Sequence, residues 1–480
     1  MAKSISLRKA ALINGGGKYS KILLSVFVNA ILARILSPSD YGIVAVITVF
    51  STFFTTLSDM GFGVAVVQDK GLTRNDIDNI FSFTVYISIG LMIIFALLSM
   101  PIAKFYKNNI YISLSLLLSI SLLFDAMNMV PNGILNRNKE FMVIAIRTVI
   151  VYLIAAAITV ILALKGFRYY SLVIQSIITS VFTFIWNWTT TRPKFKLKIG
   201  MNSVKRVLNY SVYQFAFNFV NYFSRNLDNL LTGKFMGNTQ LGYYNKSYEL
   251  MLYPVNNLTG VVSPVIHPIL SDFQHDFKII YQKYMKVFKI LFCLGAFVSP
   301  LCFLGGKEII TIMYGDHWGS SIVCFQLLSI AIIPQMVNSS SSGVFQALGN
   351  TRLLFWNSCI NTGITVLAIL IGVFEGKNIV ALSAAVGIAY ICHFFTVYFM
   401  LIKWGFGYNF SKFLGDILPD LIILLGMELA VIIYPFGNIK NVLLSLIVKL
   451  FFLMIIFIIL MWLSGEYKLI KRVRKEETVK

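Results

Sequence analysis

Charge is scarce in this chain. Asp, Glu, Lys and Arg make up 13% of its 480 residues, against ~25% in soluble domains. Acids are the rarer sign, 20 Asp and Glu facing 41 Lys and Arg. That scarcity excludes a soluble protein with a membrane anchor. Cysteine is scarce too: Cys293, Cys302, Cys324, Cys359 and Cys392 all lie in apolar surroundings and none has CxxC spacing. Neither a disulfide framework nor a zinc site is suggested by that pattern. They read as small apolar filler. A cleavable leader is not expected, since "MAKSISLRKAALINGGGKYSK" runs on into an apolar stretch without a small-residue cut site. Long polar segments are missing as well. The longest gaps, 191–206 and 267–284, are too short for a soluble domain.

What remains is apolar: 57% hydrophobic residues and a mean hydropathy of +0.77. A membrane helix needs ~20 mostly apolar residues. The runs predict fourteen, at about 11–34, 41–66, 79–103, 110–135, 141–164, 168–190, 207–232, 240–266, 285–305, 320–346, 352–374, 378–402, 416–435 and 441–463. With the N-terminus placed inside, the inside segments and their flanks hold 26 of the 41 Lys and Arg; the outside ones hold 9, and six lie within spans. By the positive-inside rule both termini are cytoplasmic. The net charge of +21 is then mostly a topology signal. No nucleic-acid partner is expected, because that reading needs a basic soluble domain.

An internal repeat stands at an offset of 200 residues. "RILSPSDYGIVAV" from Arg34 aligns with "KFMGNTQLGYYNK" from Lys234, matching Asp40 to Gln240 and Gly42 to Gly242. Upstream, without a gap, Asn14, Lys18, Lys21, Ser25 and Asn29 meet Gln214, Asn218, Asn221, Arg225 and Asn229. The expected architecture is an all-α integral membrane protein of about fourteen transmembrane helices. Two six-helix bundles are related by a pseudo-twofold along the membrane normal, with two extra helices. Its expected divisions are 1–200, ending in a basic cytoplasmic linker, 201–404, and 405–480 with a basic cytoplasmic tail.

The equivalent first helices of the two halves each carry a polar stripe. Gln214, Asn218, Asn221, Arg225, Asp228 and Thr232 fall within about 80° of arc at ~100° per residue. A charge at mid-bilayer costs ~2.5–3.5 kcal/mol on insertion scales, so such residues face a partner or water. Either Arg225 and Asp228 form a neutralising pair that fixes packing, or the two stripes line a polar cavity to which Lys18 and Lys21 add positive charge. Lys246 and Glu249 are an internal pair or a cavity wall. Asp59 and Asp125 are single acids in spans, either proton or sodium sites or neutralisers of a basic partner. Arg147 is expected to snorkel, and His393 to be a satisfied core histidine. Glu308, Asp316 and His317 read as loop surface, and Pro254, Pro264 and Pro334 as candidate kinks. Excess cation with amides suits an anionic, hydroxyl-rich cargo.

"ILARILSPSDYGIVAV" followed by "LSDMGFGVAVVQDKGLT" resembles the N-terminal signature of Wzx-type polysaccharide flippases. "RNLDNLLTGKFMGNTQLGYYNKSYEL" with "PVNNLTGVVSPVIHPILSDFQHD" resembles the start of their second half. Those O-antigen, colanic acid and teichuronic acid exporters share a superfamily with MATE drug antiporters and the lipid II flippase. The resemblance covers spans 1–12. It implies a V-shaped pair of bundles with alternating access in the bacterial cytoplasmic membrane. It implies an undecaprenyl-diphosphate-linked glycan as cargo, polysaccharide polymerase machinery as a partner, no cofactor, and coupling to H+ or Na+. Lys18, Lys21 and Arg225 match by position and character the cations that receive the diphosphate. Two rivals stay open. One is a MATE-like antiporter for organic cations, which would prefer acids in its cavity. The other is a membrane polymerase or ligase, which would need a sizeable outside loop.

Overall fold

The computed structural model is all-helical over the residues it describes: 7–59, 62–208, 222, 225–260, 266, 270–274, 276–435, 437 and 439–467. The side chains of 7–14, 59 and 205–208 also lie outside that description. Nine helices among the described residues are long and apolar enough to cross a membrane, and ten if the bent pair Asp316–Ser329 and Ile332–Ala347 is one span. The expected fourteen also include helices that miss that measure. Leu7–Ile35 carries Lys18, Lys21 and Arg34 along its length, and Leu418–Ile432 has only 15 residues. Asn238–Thr259 is rich in polar side chains, and much of 207–232 lies outside the described residues.

The chain divides into two units, Met1–Gly242 and Tyr243–Lys480. In the first, α1 is Leu7–Ile35, α2 Pro38–Asp59, α3 Phe62–Gln68 and α4 Arg74–Tyr106. They are followed by α5 Ile110–Met127, α6 Met129–Arg137, α7 Phe141–Leu164, α8 Tyr169–Thr191 and α9 Met201–Leu208. Caps set the ends. Ser37 and Asp40 bond reciprocally at the start of α2, and Arg168 Nε lies 3.1 Å from Asp40 Oδ1. Thr73 and Asp76 form a capping box on α4, satisfying N–H groups that the first turn leaves bare.

Small residues bring helices close. A Cβ on Gly17 would stand 2.7 Å from Ala145 Cβ, so α1 can lie against α7. A Cβ on Gly42 would stand 1.8 Å from the Asn238 carbonyl oxygen, and one on Gly242 1.8 Å from the Pro38 carbonyl oxygen. Any larger residue at either position would force these backbones apart. Ile47, Phe54, Phe95, Tyr111 and Leu114 form one apolar core, and Phe62, Phe81, Val130 and Ile134 another. The 192–200 linker is held along α4, where the backbone N–H groups of Lys194 and Lys196 donate to Asp78 Oδ1 (2.9 Å) and Ser82 Oγ (2.8 Å).

In the second unit, Phe277–Leu304 packs against Leu418–Ile432 and Val442–Leu463. Two charge clusters bind these last helices. Lys289 Nζ lies 3.4 Å from Asp420 Oδ2 and 2.6 Å from Glu466 Oε1. Lys449 Nζ lies 2.7 Å from Glu308 Oε1, which also accepts from Ser445 Oγ at 2.7 Å. Glu308 is therefore not loop surface but buried; its partner lies in the last span, out of sight of any local pattern. His393 is buried as expected, its Nε2 2.9 Å from the Asn361 carbonyl oxygen. The 48° bend between Asp316–Ser329 and Ile332–Ala347 falls four residues ahead of Pro334. Proline cannot donate there, and its ring crowds the carbonyl at that position. Pro254 lies within Asn238–Thr259, and Pro264 lies outside the described residues.

Candidate functional site

Two cavities open in the first unit, and one carboxylate borders both. The first, about 410 Å³, is lined by Lys21 of α1, by Ser51, Thr52 and Thr55 of α2, and by Ser121 and Asp125 of α5. Tyr152 of α7 and Gln175, Thr179 and Ser180 of α8 complete its polar wall. Many of these hydroxyls bond to their own helices. Thr55 Oγ1 donates to the Ser51 carbonyl (3.1 Å) and Thr179 Oγ1 to that of Gln175 (2.7 Å). Such bonding lets a hydroxyl sit in an apolar helix without a stranded donor. Ser121 Oγ and Ser180 Oγ are 2.8 Å apart, and Ser121 Oγ is 3.3 Å from Asp125 Oδ2.

The second cavity, about 600 Å³, lies between α3 and the α5–α6 break. Gly63, Val67 and Gln68 line one side, Asp125, Asn128, Asn132 and Asn136 the other, with Phe141 beside them. Behind the asparagines lies Arg147, 7% exposed. Its Nη1 donates to Asn187 Oδ1 at 2.6 Å and to Asn132 Oδ1 at 3.4 Å. Asn187, fully buried, passes a hydrogen bond on to Asn128 Oδ1 at 2.7 Å. Arg147 thus does not snorkel. It points inward because these amides, which belong to other helices, accept from it there. Among the described residues no carboxylate lies within 4.0 Å of it, and its Nε has no partner.

The residues singled out from the sequence divide as follows. Lys21 and Asp125 share the first cavity. Lys18 and Arg225 are exposed, whereas Asp228 is buried and its Oδ1 accepts from the Asn229 N–H at 2.7 Å. Lys246 is buried with Nζ 2.8 Å from Glu249 Oε2, as an internal pair. Gln214, Asn218, Asn221 and the Asp59 side chain lie outside the described residues. Sequence reasoning missed the asparagine ladder. Its signal was present: Asn128, Asn132 and Asn136 recur every four residues inside an apolar span, which places them on one helix face.

Comparison with known proteins supplies the family and the fold. The family description "polysaccharide biosynthesis protein" matches residues 31–323. The chain is 23% identical over 428 residues to the lipopolysaccharide biosynthesis protein WzxC of Escherichia coli, covering 85% of this chain and 84% of that one. It is 22% identical over 359 residues to the teichuronic acid biosynthesis protein TuaB of Bacillus subtilis, covering 72% and 74%. Its fold is similar to that of the lipid II flippase MurJ in an inward closed conformation, with a TM-score of 0.72, 14% identity, and 94% and 98% of the two chains covered.

Proposed function

This chain belongs to the polysaccharide biosynthesis protein family, and from that premise we propose that it moves a lipid-linked oligosaccharide across the bacterial cytoplasmic membrane. The cargo is an undecaprenyl-diphosphate-linked repeat unit, turned from the inner to the outer leaflet by alternation between inward-open and outward-open states. Family and fold favour a transporter over an enzyme, and a glycan cargo over the organic cations of a drug antiporter. The carrying observation is that this family fold houses cavities lined by amides and hydroxyls, with the Lys21 ammonium at the first and the Asp125 carboxylate at both. Dragging a diphosphate unaided through hydrocarbon costs tens of kcal/mol by Born solvation. Fixed polar groups replace the lost hydration without forming or breaking a covalent bond.

Lys18, Lys21 and Arg225 receive the diphosphate, and Gln214, Asn218 and Asn221 meet its sugars. The polyprenyl tail stays in lipid, and polysaccharide polymerase machinery takes up the product outside. Asp125, with Ser121 and Ser180, is the candidate site for H+ or Na+ coupling. In this reading the chain spans the membrane fourteen times, with both termini inside and the divisions 1–200, 201–404 and 405–480. A pseudo-twofold is supported by the mutual approach of Gly42 to Asn238 and of Gly242 to Pro38, the same positions that align in the repeat.

Proteoliposomes loaded with lipid-linked oligosaccharide test this reading. The Lys21→Ala/Arg225→Ala double variant should fold but lose flipping by at least ~100-fold, the scale of two lost charge-assisted contacts. Full transport by that variant refutes the assigned roles.

A further inference from the structure

We infer that the second cavity is a sugar-hydroxyl subsite whose hydrogen-bond polarity is set by Arg147. The inference rests on the transport reading above and specifies which part of the cargo this site takes. A guanidinium has donors only. The Asn187 atom it touches at 2.6 Å is therefore Oδ1, so the Asn187 amide nitrogen is what faces Asn128 at 2.7 Å. Asn128 must answer with Oδ1. By the same logic the Asn132 atom facing Arg147 is Oδ1. Both cavity-lining asparagines are thus held by their acceptors, which leaves their NH2 groups as donors. Among the described residues neither NH2 has an acceptor.

One turn further on the polarity reverses. Asn136 donates Nδ2 to the Asn132 carbonyl at 2.9 Å and keeps its own Oδ1 as an acceptor. Asp125, in the same cavity, adds a carboxylate that takes one bond from Ser121. The lining therefore offers both polarities: acceptor at 125, donors at 128 and 132, acceptor at 136. A bare oxyanion fits poorly, because Asp125 would repel it. Hydroxyl groups fit, since each both donates and accepts, and adjacent hydroxyls on a sugar ring meet both donors and acceptors. Phe141 offers the apolar surface that a ring's C–H face needs. At about 600 Å³ the cavity is within the ~300–1,000 Å³ of small-molecule sites. Burying a guanidinium is costly unless hydrogen bonds satisfy it, and here the Asn187 and Asn132 amide oxygens accept from it, which fixes how both amides are turned.

Two aspartate variants separate recognition from packing. Asn132→Asp keeps the shape and puts a carboxylate against Arg147, so packing is retained while the donor is lost. Asn128→Asp does the same against the Asn187 amide. The probe is the phosphate-free oligosaccharide released by mild acid from the polyprenyl diphosphate of producing cells. It is followed by saturation-transfer NMR on the full-length protein in detergent. Wild type should bind it, and each aspartate variant should bind at least ~10-fold more weakly while melting no lower than wild type. Undiminished binding by both aspartate variants, or no binding by a wild type that flips the lipid-linked form, overturns the inference. A wild type that binds the probe but does not flip the lipid-linked form supports the subsite and sinks the transport reading instead.

Discussion

The two units treat buried charge in opposite ways. In the second, three interior cations among the described residues have carboxylates: Lys289 has Asp420 and Glu466, Lys449 has Glu308, and Lys246 has Glu249. In the first, Arg147 is held by amides and Asp125 by a hydroxyl, and the described ion pairs, Arg168–Asp40 and Arg74–Asp78, sit at helix ends. Matched charges cancel and fix helices in place. Charges held by neutral dipoles keep their field and leave hydrogen-bonding capacity for something else. Both cavities border the unmatched set, which is why the candidate site falls in the first unit.

The largest test of that contrast is Lys449→Met. Stranding the buried Glu308 should cost ~3–5 kcal/mol, read as a lower melting temperature in detergent. Glu308→Met/Lys449→Met, which removes both charges, should recover most of it. Arg147→Met comes next. It strands no opposite charge and only one fully enclosed amide oxygen, that of Asn187, at ~1–3 kcal/mol; the Asn132 oxygen belongs to a cavity-lining side chain that water can reach, so the loss should be the smaller. A loss equal to that of Lys449→Met would break the comparison. The smallest effect is on pH. Burial pushes the Glu308 carboxyl up, but bonds from Lys449 and Ser445 outweigh it and hold it below its ordinary 4.5. A group depressed on folding stabilises above its unfolded value and stops doing so as pH falls through the folded one. Wild type should therefore lose a stability increment below about pH 4.5 that Glu308→Gln does not have to lose. Parallel melting curves from pH 3 to 7 would remove the pair from the account.

Hydropathy made the long helices legible. The run expected at 141–164 is the helix Phe141–Leu164, and 79–103 lies inside Arg74–Tyr106, extended by the polar cap at Thr73 that an apolar window cannot register. Two glycines that the sequence alignment paired, Gly42 and Gly242, are each required by a close backbone. The direction of Arg147 was not legible, since its partners Asn132 and Asn187 come from other helices. Nor was the bend near residue 330, which reads as one continuous apolar run until Pro334 is weighed against the carbonyl it crowds.

Glu308 and Lys449 are 141 residues apart in the chain. A ribosome adding ~5–20 residues per second needs roughly 7–28 s to travel that far. Throughout that interval the nascent protein carries a carboxylate whose counterion has not yet been made. Its final fold cannot close until the last helix arrives, so premature termination anywhere between them would leave an acid for cellular quality control to find.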